Sequence, residues 1–239
     1  MTTMPDFSSD ALYDHYRVKI QFRDRVCGGM PKNPDLLEGW IATKTEHKDE
    51  ITDKQVKEAR EALLEPTEEK SWITFPGDER GLYLQARQVK ALFKESGTML
   101  RVTEQKRGSK QIFQHGFEIK SLMQGAPADR IYLMSDGKHV KKPTAYAEGP
   151  IHVQTPQGPR TALKRVDYVE RPVLEFEIWV LRTEAAEKRH VGQDEIVKML
   201  TFGQENGVGA DRSQGHGKFD VLEFEAIESA SAKAKKKAS

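Results

Sequence analysis

The segment Gly207-Val208-Gly209-Ala210-Asp211-Arg212-Ser213-Gln214-Gly215-His216-Gly217-Lys218-Phe219 carries the most specific chemistry in the chain. Two Gly-x-Gly units stand five residues apart, with Arg212 between them and Lys218 just after. Glycine admits positive φ and close backbone approach, so such a pair permits a tight double turn. Exposed N–H groups in turns of this kind hold anions, and Arg212 and Lys218 would add charge-assisted contacts to phosphate. Familiar loops do not fit. A dinucleotide fingerprint needs glycine where Arg212 stands, and it lies between a strand and the following helix. A Walker A loop needs Ser or Thr where Phe219 stands, and an EF-hand needs alternating acids where only Asp211 is found. The same glycines would also serve a purely structural junction, and residue types leave both readings open.

Other chemistry is sparse. The seven histidines, at 15, 47, 115, 139, 152, 190 and 216, include no pair at helical ligand spacing, so no metal is expected. Metal-free RNA cleavage needs a base, an acid and a cation around one phosphate. His115, which follows Arg107, Ser109 and Lys110, and His15 beside the first strand are the candidates. Asp211 and Asp136 would be the candidates for metal-assisted cutting. No Gly-x-Ser-x-Gly elbow occurs, and Cys27, the lone cysteine, reads as a small packed residue. It also excludes internal disulfides and two-cysteine metal motifs. Of Trp40, Trp72 and Trp179, the last lies on the outward register of its strand and is the best stacking candidate.

The elements that must position these groups follow from periodicity. Tyr16, Val18, Ile20 and Phe22 alternate with Arg17, Lys19 and Gln21, which predicts a half-buried strand with a basic outer face. Leu36, Leu37, Trp40 and Ile41 suggest a short helix, and Thr52 with Gln55 caps another that ends before Pro66. Ser71–Phe75 reads as a strand, and about Leu84–Lys94 as a helix with Arg87, Lys90 and Lys94 on its polar side. Strands are expected at Arg130–Met134, Ile151–Val153, Arg160–Val169 and Val173–Arg182, a helix over Gln193–Phe202, and a last strand at Lys218–Phe224. Strand, helix, strands, helix, strand describes an α+β, ferredoxin-like (RRM-like) antiparallel sheet with helices on one face. One domain over 1–230 is expected, with insertions at about 31–75 and 97–171 and a disordered Lys-rich tail at 231–239.

Charge is balanced over the 239 residues, 38 Lys+Arg against 37 Asp+Glu. The bases nonetheless cluster, at Arg101–Lys110, Lys138–Lys142 and Arg160–Arg171, while Glu46–Lys70 is acidic and reads as a solvated segment. Clusters of this kind permit a local polyanion-binding face. No apolar run approaches the roughly 18 residues of a membrane span, and Met1–Asp10 lacks the pattern of a secretory signal. A cytoplasmic protein with no membrane partner is the expectation.

The glycine segment resembles the G-loop of the RAMP superfamily, the ferredoxin-like RNA-binding proteins of CRISPR systems. That loop is Gly-hydrophobic-Gly, five residues with a Lys or Arg, then Gly-hydrophobic-Gly, between the last helix and the last strand. Gly207, Val208, Gly209, Arg212, Gly215 and Gly217 satisfy it, and His216 departs from the second hydrophobic position. The resemblance implies a backbone subunit that holds single-stranded or guide RNA along a palm and an inserted thumb hairpin. It implies RNA as partner, self-association or other RAMP-type subunits, and no cofactor. The contact residues would be Gly207, Gly209, Arg212, Ser213, Gln214, Gly215, Gly217 and Lys218, extended by Arg87, Lys90 and Lys94. Lys138, Lys141, Lys142, Arg160 and Lys164 would line the inserted arm. An endoribonuclease of the same superfamily, or an assembly protein reusing the fold, are the alternatives.

Overall fold

The computed structural model describes residues 12–43, 52–102, 112–155, 158–182 and 191–227. The chain begins with β1 (Tyr13–Phe22), β2 (Arg25–Cys27), β3 (Met30–Pro31), α1 (Leu37–Ala42) and α2 (Asp53–Glu61). There follow β4 (Trp72–Thr74), β5 (Gly77–Asp78), β6 (Gly81–Gln85), α3 (Ala86–Met99) and β7 (Phe117–Ser121). Next come β8 (Arg130–Tyr132), β9 (Met134–Ser135), β10 (Lys138–His139), β11 (Ala145–Thr155) and β12 (Gly158–Glu170). The last elements are β13 (Val173–Leu181), α4 (Gln193–Asn206) and β14 (Phe219–Ile227).

Strict alternation places β1 and β13 at the centre. Val18 lies opposite Phe176 and Ile20 opposite Leu174, so two apolar rows form one inner face. β14 pairs with the other edge of β1, and β7 with the other edge of β13, all antiparallel. The order β14-β1-β13-β7, with α3 between β1 and β7 and α4 between β13 and β14, is the split-βαβ, ferredoxin-like arrangement. The α+β expectation holds. Both helices lie on the inner face: Val89, Leu92 and Phe93 of α3 and Ile196, Met199 and Leu200 of α4 join the sheet in one core. Each such side chain contributes about 2 kcal/mol by leaving water. Residue 84, expected in a helix, belongs to β6, and α3 runs on past Gly97.

The insertions fall elsewhere than expected. Phe117–Ser121, inside the stretch 97–171, is a core strand, with Phe117 and Ile119 buried and Glu118 outside. Two apolar residues in alternation are a weak periodic signal, and burial against α3 and β13 makes them a strand. The additions to the core are therefore 23–85 and 122–172. The second contains a long hairpin, with β11 and β12 paired from Ala145↔Tyr168 to Thr155↔Gly158. Its root is joined, along the edge of β12 away from β11, to β2 in antiparallel and to β4 in parallel. Beyond Arg165 the two strands pair only with each other among the described residues, so they project as an arm. The tail 231–239 lies outside the described residues, as does the start of the acidic segment, 46–51.

The outer sheet face is not the basic surface that β1 alone suggests. Lys19 sits between Glu175 at 3.0 Å and Glu223 at 3.3 Å. Arg17 is registered against Glu177 on one side and Glu225 on the other. Neighbouring strands supply the acids that cancel its charge.

Candidate nucleic-acid interface

The glycine loop is folded by its own two ends. α4 stops at Gly207, whose φ is +78° and whose N–H donates to the Gly203 carbonyl at 2.8 Å. The two Gly-x-Gly units then lie back to back, the Val208 N–H donating to the Gly217 carbonyl at 2.9 Å. A Cβ at 217 would stand 2.0 Å from the Val208 oxygen, and one at 207 would stand 2.8 Å from the His216 oxygen. Only glycine fits either place. The crossing is bound to β2: the Gly217 N–H donates to the Arg25 carbonyl at 2.9 Å and that of Ala210 to Cys27 at 3.3 Å. Val208 is buried in the main core. Between the crossed ends a short turn, Arg212–Gln214, carries Ser213, Gln214 and Gly215 outward to solvent.

The bases of the loop are engaged. Arg212 Nη1 meets Glu95 of α3 at 2.7 Å, and this contact holds Glu95 below the usual carboxylate range. Lys218 meets Glu205 at 3.1 Å, and Glu205 also takes Arg23 at 2.5 Å. Lys164 of β12 meets Asp211 at 2.6 Å, which ties the hairpin root to the loop. All of these pairs are partly exposed, so each is worth under about 1 kcal/mol and can exchange a carboxylate for a phosphate at small cost.

Arg25, which the sequence reading missed, is the base most closely built into this place. Its guanidinium lies 4.9 Å from the Tyr168 ring centroid, and its buried Nε lies 3.5 Å from Asp24 Oδ2, too poorly aligned for a hydrogen bond. His216 is held below its ordinary pKa, first by burial and then by the nearby Arg25 charge. Nothing in the run Arg23-Asp24-Arg25 signals this role, because the contacts with residues 168 and 216 are wholly tertiary. The neighbouring Cys27 thiol is pushed up to about 11, mainly by burial and then by Asp211.

The expected track along α3 is not continuous with the loop. Gln88 and Glu95 face the loop side, near Gly29 and Arg212 respectively. Arg87, Lys90 and Lys94 lie about a third of a turn away around the helix. Arg87 donates to Gln85 and sits 5.2 Å from the Trp40 ring centroid. Burial lowers the Lys90 pKa, and Lys94 is exposed. Nor do all the arm candidates line the arm. Arg160 and Lys164 belong to the hairpin, whereas Lys138 is on β10, and Lys141 and Lys142 precede β11. Lys141 donates to the Glu79 carbonyl, and Lys142 meets Glu65 at 3.0 Å.

The cleavage candidates are scattered. His15 packs against Trp179 with ring centroids 4.2 Å apart and planes tilted by 39°, and Lys120 Nζ lies 3.3 Å from the Trp179 centroid. Trp179 is half-buried on the outer sheet face, where Glu177 accepts its indole N–H. His115 is exposed in the turn before β7; Arg107, Ser109 and Lys110 lie outside the described residues. Asp136 is exposed in the β9–β10 turn at a φ of +50°. Among the described residues no group of three or more His, Cys, Asp or Glu could hold a metal ion. Among them, too, no helix is long and apolar enough to cross a membrane.

No known protein family matches the chain, and no curated protein matches it. Among solved structures it is similar to a chain of the "Cryo-EM structure of the Type III-B Cmr-beta bound to cognate target RNA". The TM-score is 0.47 and the identity 14%, over 93% of this chain and 63% of that one. This chain therefore spans less than two thirds of that chain's length. A likeness at this level adds nothing to the topology read directly from the strand pairing.

Proposed function

We propose that this protein holds RNA by its phosphate backbone, with the glycine loop and the root of the β11–β12 hairpin as the contact surface. One observation carries the reading: crossed Gly-x-Gly units bind the loop to β2 and turn Ser213, Gln214 and Gly215 outward. Four bases, Arg25, Lys164, Arg212 and Lys218, sit on the loop or on the strands it touches. Such contacts position a strand without reading its bases. The loop pattern, the element order and the projecting hairpin together support a role like that of a RAMP-type CRISPR backbone subunit. Further copies or other subunits of that kind would be the protein partners, the compartment the cytoplasm, and no cofactor is required. No arrangement of His15, His115, Asp136 or Asp211 favours the nuclease alternative.

The test is titration of the protein into a labelled single-stranded RNA of about 30 nucleotides at several salt concentrations. The wild type is expected to bind and to weaken steeply with salt, and Arg25→Ala/Lys164→Ala to lose about tenfold while staying folded. Absence of binding at low salt, or full retention by the variant, would overturn the proposal as drawn.

A further inference from the structure

Successive residues of β12 reach different neighbours. Lys164 and Tyr168 meet the glycine loop and Arg25, whereas Arg165 and Asp167 meet β4. On the β4 side lies a cavity of about 440 Å³, within the size range of small-ligand sites. Asp167, 4% exposed, lies at this site and accepts from the Trp72 indole at 2.8 Å and the Thr74 hydroxyl at 2.6 Å. Those bonds use about half of the lone-pair sites of a carboxylate.

Lys32 also lines the cavity. Its Nζ lies 3.9 Å from Asp167 Oδ2 and 4.2 Å from the Trp72 ring centroid, and its side chain is 12% exposed. Its ammonium makes no hydrogen bond to the described residues, so this enclosed group keeps its three donors for an acceptor from outside. Tyr146, registered opposite Asp167, supplies an aromatic wall that is 49% exposed. Lys141 and Lys142 line the same cavity with exposed side chains.

We propose that this cavity binds a nucleotide. The Watson–Crick edge of every base sets an acceptor beside a donor, which matches Lys32 next to Asp167. The ring face suits Tyr146, and the phosphate suits Lys141 and Lys142. The exposed Lys142–Glu65 pair costs little to exchange. The ligand is either a free nucleotide or one unit of a bound RNA strand. Only the second source rests on the RNA-binding reading.

The test uses protein labelled with 5-fluorotryptophan, whose three tryptophans give separate fluorine resonances, that of Trp72 assigned with Trp72→Phe. Nucleoside 5′-monophosphates, ribose 5-phosphate and the RNA oligonucleotide are added in turn, with anisotropy reporting RNA binding in parallel. A saturable Trp72 shift with a monophosphate supports a site for free nucleotides, and a shift with RNA alone supports a site for a strand unit. Lys32→Met is expected to weaken either response about tenfold. Tyr146→Ala, at an exposed position, gives an independent loss should Lys32→Met fail to fold. A Trp72 resonance unmoved by every monophosphate and by RNA that anisotropy shows to be bound overturns the cavity proposal and leaves RNA binding standing. A Trp72 shift with nucleotide but no RNA binding does the reverse. Equal shifts with ribose 5-phosphate would overturn base recognition.

Discussion

Lys164 of the projecting hairpin and Asp211 at the head of the glycine loop meet at 2.6 Å, joining residues 47 positions apart. The pair is three-quarters buried on each side and draws the inserted arm against the ferredoxin-like core. Its two ends have opposite expected effects on a polyanion. Lys164→Ala removes a cation and should weaken RNA binding severalfold. Asp211→Asn removes an acid at a position where φ is +54°, a conformation that asparagine tolerates, and should strengthen binding at low salt. Anisotropy titrations decide this. Equal weakening by both would make the pair a structural tie alone.

The glycines of the loop differ in cost. Gly217→Ala drives a Cβ to 2.0 Å from the Val208 oxygen, so we expect a loss of about 3 kcal/mol or more in urea denaturation. Gly215→Ala meets open space and carries only the strain of φ +84°, about 1 kcal/mol. Similar losses at both positions would contradict the crossed-loop geometry.

Salt dependence counts phosphate contacts. Each base that touches a phosphate of a single strand adds about 0.7 to the slope of log affinity against log salt. Arg25→Ala and Arg160→Ala should each lower the slope by about that amount. Arg87→Ala, on a stripe turned away from the loop, should leave it unchanged.

His216 sets a pH window. Burial and Arg25 lower its folded pKa below the ordinary 6.5, so the unfolded chain binds the proton more readily. Its contribution to stability is present above 6.5 and is lost as pH falls from there through the folded value. His216→Gln should flatten that part of the stability profile. The carboxylates Glu95 and Glu205, lowered from 4.5 by Arg212 and by Arg23, lose their contribution only at more acid pH.

Cys27 is 1% exposed with its thiol pushed up to about 11. At pH 8 a thiol reagent should modify the native protein far more slowly than the unfolded chain, because little thiolate forms and access requires opening. Rapid labelling would mean that β2 detaches readily from the loop.

The centre of the fold is legible in the order of residues alone. Tyr16–Phe22 and Val173–Leu181 alternate so strictly that only one face of each can be buried, and the stripes of α3 and α4 match that face. The loop is legible there too, since Gly207 and Gly217 stand where a backbone crossing excludes any side chain. Phe117–Ser121 was illegible because two apolar residues make a strand only when α3 and β13 lie ready to cover them. Charge was the least legible. A base in a sequence is only a base, and tertiary structure gives Lys19 its two acids, Arg212 its Glu95 and Lys164 its Asp211. It also leaves Arg25 beside the loop with an Nε that makes no hydrogen bond, and Lys32 beside a cavity with its donors unspent. Coulomb and hydrogen-bond energies depend on distance and burial, and residues as far apart in sequence as Lys19 and Glu223 acquire both only when the chain has folded.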